Sequence, residues 1–153
     1  MNNINEFKQL SADEAQKLVK APALITALIG ASDGKIDAKE TEWAEKVVGY
    51  REHIGDEDLF SYYHQVEETF KANLDAILAE NVVGSQERVS KATTELEEVS
   101  TILAKINNHY AEKLLTSWKS FALQVAKASG GLLGFGSVSS QEEHLVNLPM
   151  IKL

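Results

Sequence analysis

The chain has 153 residues, enough for one domain with a sizeable core, and its 44% apolar and 25% charged residues suit a globular protein rather than a disordered one. A formal net charge of −8 excludes binding to nucleic acid by general charge attraction, and the lack of cysteine excludes disulfides, thiolate metal sites and cysteine nucleophiles. The longest nearly apolar stretch, 21–29, is too short to span a bilayer, and residues 1–6 have neither a basic nor an apolar signal region, so a soluble, cytoplasmic domain is expected.

Pro22 and Pro149 are the only prolines, and the apolar spacing between them is helical. The pattern predicts an all-α bundle of about seven helices, a single domain over 1–153 with an N-terminal extension at 1–10. Ser11 and Glu14 form a capping box for a first helix ending near Lys20. Pro22 suits the first turn of a second helix, 21–31, where its missing N–H costs nothing. This helix is apolar almost all round, the mark of a buried central element. After a tight loop, Asp37 caps a third helix whose stripe, Trp43, Val47, Tyr50 and Ile54, is expected to be buried.

Asp56, Glu57 and Asp58 place negative charge at the start of a fourth helix, with a stripe from Leu59 to Ile77. Of Tyr62 and Tyr63, one is expected inward and one outward. A break around Gly84 precedes a long segment through Leu96, Val99, Leu103, Tyr110, Trp118 and Val125, with a break or kink at Asn107 and Asn108. Trp43 and Trp118 read as core anchors. Residues 128–140 form a glycine-rich loop, Ser139 or Ser140 caps a last short helix, and the apolar tail 148–153 either packs on the domain or docks elsewhere.

The segment 31–40 carries Asp33, Asp37 and Glu40 on a loop that opens a helix, and hard cations such as Ca²⁺ favour oxygen ligands on a tight turn. With Gly34 as the sixth residue of an EF-hand loop, these three fall at the fifth, ninth and twelfth positions. Ile29 and Ala31 then occupy the first and third, where they donate no side-chain oxygen. Any cation here needs carboxylates from elsewhere in the fold. The other reading is an ordinary turn followed by a capped helix. A faint echo recurs at 138–142, where a β-branched residue, a serine cap and Glu142 repeat the order of Ile36, Asp37 and Glu40, which suggests a degenerate internal repeat of a helix–acidic-loop–helix unit.

An apolar helix followed by Ala31-Ser32-Asp33-Gly34-Lys35-Ile36 and then Glu40 resembles the TerB-like family, named for tellurite-resistance proteins. The resemblance covers about 22–145 and implies an all-helical domain of two pseudo-symmetric halves. It further implies a non-enzymatic part of stress-response complexes, cytoplasmic or membrane-associated, whose acidic residues bind metal. On this chain Asp33, Asp37 and Glu40 match the first motif and Glu142 matches only the glutamate of the second. The second motif lacks an aspartate equivalent to Asp33 and carries an inserted glycine loop.

The remaining motifs point away from catalysis. The glycine stretch lacks a P-loop ending, but its Leu132, Leu133 and Phe135 form a candidate partner-binding or membrane-surface element, against the plainer reading that they tuck back on the bundle. The four histidines, His53, His64, His109 and His144, form no zinc-protease motif. Acidic pairs such as Glu67-Glu68 read as solvated faces. The leading expectation is therefore a non-catalytic module that binds Ca²⁺ or another divalent cation at Asp33, Asp37 and Glu40 and works through protein partners. The alternative is a metal-independent interaction module using the glycine loop and the apolar tail. A carboxylate-dependent hydrolase ranks last, because no nucleophile or positioned base can be named.

Overall fold

The computed structural model describes residues 4–32, 38–80, 84–132 and 144–153, with backbone only at 32, 38–40, 85 and 129–132. The described residues form five α-helices and no strand: α1 (Ala12–Ser32), α2 (Ala38–Arg51), α3 (Phe60–Leu78), α4 (Gly84–Leu103) and α5 (Asn108–Leu132). Two 3₁₀ turns, Asn5–Phe7 and Glu57–Leu59, precede α1 and α3. None of the described helices is long and apolar enough to cross a membrane. The expected acidic-loop repeat involves segments at 33–37 and 133–143, outside the described residues.

Helix α1 is the central element and touches all four other helices. Leu24, Ile25, Ala27, Leu28 and Ile29 are all buried, so no face of its second half is left for water. The capping box forms as expected: Ser11 Oγ accepts from the Glu14 N–H at 3.1 Å, and Glu14 Oε1 accepts from the Ser11 N–H at 3.0 Å. The expected boundary at Pro22 does not exist, because the first two predicted helices are one. Proline inside a helix removes the donor for the carbonyl four residues earlier, here that of the fully buried Leu18. Tyr62 replaces that donor, with its hydroxyl donating to Leu18 O at 2.7 Å. The indole N–H of Trp118 in turn donates to Tyr62 Oη at 2.9 Å.

The other boundaries follow local chemistry. Gly55 takes φ +109 where the chain leaves α2, a conformation strained for any residue with a Cβ. Asp56 caps the following turn by accepting from the Asp58 N–H at 3.0 Å. Arg88 donates to the carbonyls of Ile77 and Leu78 at the C-terminus of α3. The expected break at Asn107 is present, and its side chain accepts from the Tyr110 N–H at 3.1 Å to start α5.

Described residues before α1 and after α5 join the core. Ile4 and Phe7 are buried, as are Val146, Leu148 and Ile151, while Ser100 Oγ bridges the Met150 carbonyl and the Lys152 N–H. Trp118 is fully buried, as its stripe implies. Two expectations are corrected. Tyr62 and Tyr63 are both buried, because α1 covers one side of α3 and α2 covers the other. The buried face of α2 is Ala44, Val47 and Val48, whereas Trp43, Tyr50 and Ile54 are exposed.

Replacing Tyr62 by Phe removes the donor to Leu18 O and strands the Trp118 N–H, and is expected to cost about 1–3 kcal/mol in urea unfolding. Pro22→Ala gives Leu18 O a backbone donor, so Tyr62→Phe should cost about 1 kcal/mol less in that background. Equal costs in the two backgrounds would refute this account of how the buried carbonyl is satisfied.

Candidate functional site

Three of the four stripe residues of α2 open onto a cleft instead of the core. Trp43, Tyr50 and Ile54 are 41%, 61% and 63% exposed. They line a cleft of about 780 Å³ between α2 and α5, with Val47, Leu59 and Tyr63 deeper in its wall. Arg51 near the end of α2 lies against Ser117, Ser120 and Gln124 of α5, while Asp56 and Asp58 lie against Lys113.

Arg51 sits at the centre of the polar part. Its Nη1 donates to Ser117 O at 3.2 Å and Ser117 Oγ at 2.8 Å. Its Nη2 donates to Ser120 Oγ at 3.1 Å and Gln124 Oε1 at 3.0 Å. The guanidinium carbon stands 5.7 Å from the centre of the Tyr63 ring, a cation–π contact. Tyr63 Oη and Ser117 Oγ are 2.5 Å apart. Burial raises the Tyr63 phenol above its ordinary value against the opposing pull of Arg51, so it stays neutral and able to donate.

At the other end of the cleft, Lys113 pairs with Asp56 at 3.1 Å and Asp58 at 2.5 Å. The Asp58 backbone N–H and Lys113 hold the Asp56 carboxyl below its usual value, and hydrogen bonds to the two aspartates raise Lys113. Two carboxylates face one ammonium there, so that end of the cleft keeps a negative charge. The cleft serines meet Arg51 and Tyr63, and among the described residues neither Ser117 nor Ser120 is hydrogen-bonded to a histidine or carboxylate.

A second cluster lies just beyond α2 and on α3. One ligand atom each from Glu52, His64 and Glu67 lies within 4.8 Å of the others, a set able to hold a metal ion. His64 Nδ1 is 2.5 Å from Glu52 Oε1 and its Nε2 is 3.2 Å from Glu68 Oε1. The hydrogen bond to Glu52 is the main cause that raises His64 above its ordinary value, so the carboxylates on its two ring nitrogens favour the protonated form.

Of the residues expected at the acidic site, Asp33, Asp37 and Glu142 lie outside the described residues. Glu40 is placed only by its backbone, in the first turn of α2. The same holds for the glycine segment: Leu133 and Phe135 lie outside, and Leu132 is placed only as the last residue of α5. Sequence reasoning missed Arg51 and Ser117, which sit 66 positions apart with no motif linking them. It did find Trp43, Tyr50 and Ile54, but assigned them to the core.

No family model matches the chain, and neither the curated proteins nor the solved structures provide a match. The functional reading therefore rests on the residues themselves.

The pH dependence of the His64 cluster has a definite sign. A raised folded-state value gives a contribution fully present below the unfolded value of about 6.5 and lost as pH rises through the folded value. The thermal midpoint of the wild type should therefore fall relative to that of His64→Gln between about pH 6 and pH 8. Parallel curves for the two proteins would show that the clasp with Glu52 carries no stability.

Proposed function

We propose that the chain is a non-catalytic helical binding module that receives its ligand in the cleft between α2 and α5. The observation that carries this reading is the exposed row of Trp43 and Tyr50 on α2 and Ile54 just beyond it. Fully burying one large apolar side chain returns about 1.5–3 kcal/mol, so three in a row beside a concave surface form a strong recognition element. The apolar tail is a poorer contact surface, since Val146, Leu148 and Ile151 already pack in the core.

The TerB-like resemblance supplies a setting for such a module, namely work alongside protein partners in stress response. It also supports a second reading of the chain, a divalent cation held by Asp33, Asp37 and Glu40, with Glu142 as the remnant of a second loop. In sequence, Asp33 and Asp37 fall between the last residue of α1, Ser32, and the first of α2, Ala38, and Glu40 belongs to the first turn of α2.

The neutral dye Nile red tests the cleft. Its fluorescence should rise on binding the full chain, and the affinity should fall severalfold in Trp43→Ser/Ile54→Ser. The circular dichroism spectrum should not change, because both positions are exposed. Undiminished binding by that variant would rule out the cleft as the recognition surface.

A further inference from the structure

The polar end of the cleft indicates what its ligand carries. We propose that the cleft takes an amphipathic monoanion, a carboxylate borne on an apolar chain or ring, with the anionic group at Arg51 and the apolar part along Trp43, Tyr50 and Ile54. The proposal rests on the cleft reading above and adds the ligand's chemistry.

The first argument is charge. Two described cations line the cleft, Lys113 and Arg51, and Lys113 stands against Asp56 and Asp58. Arg51 makes no ion pair among the described residues. Its four Nη contacts go to neutral oxygens, and its remaining neighbour is the neutral Tyr63 ring. A half-buried guanidinium held this way is fixed in place but uncompensated, which attracts an anion within the cleft.

The second argument is donor geometry. Ser120 accepts from Arg51 and so has its own hydroxyl proton to give elsewhere. Gln124 turns its amide oxygen to Arg51, and its NH₂ group is the other half of that amide. Both residues line the cleft, so a carboxylate near Arg51 meets two neutral donors as well as the charge. A cation gains nothing there. Glu112, the cleft carboxylate on α5, lies toward the other end, beyond Thr116.

The third argument is size and shape. The volume falls within the range of roughly 300–1,000 Å³ typical of small-molecule sites. Tyr50 and Ile54 follow Trp43 at helical spacing and flank Arg51 in sequence, giving an apolar track beside the guanidinium.

Three eight-carbon ligands test the proposal on the full chain: octanoate, 1-octanol and octylammonium. Titration is followed by the indole N–H resonances, which separate exposed Trp43 from buried Trp118. Octanoate should bind about tenfold more tightly than 1-octanol and shift Trp43 but not Trp118, with octylammonium weakest. Arg51→Gln should abolish the preference for octanoate over 1-octanol, and Arg51→Lys should restore part of it. The ligand comparison in the wild type decides the matter even where a variant misfolds. Octanoate binding no better than 1-octanol, or shifts that bypass Trp43, overturns the anion assignment. If 1-octanol and Nile red still bind at Trp43, the cleft reading survives that failure; if neither binds, both readings fall.

Discussion

The fold depends on how one buried carbonyl is satisfied. Pro22 lies in the middle of a helix surrounded by other helices, so the Leu18 carbonyl it leaves without a backbone donor cannot turn to water. The Tyr62 hydroxyl supplies the missing donor, and the Trp118 indole completes the hydroxyl's own bonding. One proline thus fixes the facing residues on α3 and α5 and ties three helices at the same level. Burial raises the Tyr62 phenol well above its ordinary value, which keeps its proton where Leu18 O needs it. Phe7 packs edge-on against Tyr62, so the residues before α1 belong to the same assembly.

Ion pairs act on the outside of this core, mainly between α1 and α4. Lys17 meets Glu98 and Lys20 meets Glu95, while Lys105, just after α4, meets Glu14. These exposed or half-exposed pairs set which faces meet more than they stabilise. Helix α2 is held differently. Its buried face is narrow, and Arg51 is the side chain that stitches it to α5 through hydroxyl and amide oxygens. A cleft forms because those polar contacts hold the two helices together on one side while Trp43, Tyr50 and Ile54 find no cover on the other.

Much of the helical pattern is legible in the sequence because capping is local. Ser11 with Glu14, Asp56 and Asn107 each satisfy backbone groups within three residues, so their roles follow from nearest neighbours alone. Pro22 is the opposite case. Locally it reads as a helix start, and only a hydroxyl 44 residues away makes it tolerable inside a helix. Among the described residues there are five helices rather than about seven, partly by fusion across this residue, and the short last helix expected from Ser139 or Ser140 begins outside the described residues. Tyr62 and Tyr63 fail for a related reason, since a helix flanked by two others buries more than one face.

The row of Trp43, Val47, Tyr50 and Ile54 shows where helical periodicity stops being informative. The spacing records that one side of α2 is apolar, but burial within the chain and burial against a ligand give the same pattern. What separates them is the position of Arg51. Ala44, Val47 and Val48 turn inward together, and Arg51 follows them at the next inward turn, so the helix closes its buried face with a charge. A guanidinium on that face holds α5 through its oxygens and excludes apolar packing at that point. The apolar row beside it is left facing the cleft, where an apolar partner and an anionic group would find adjoining complements.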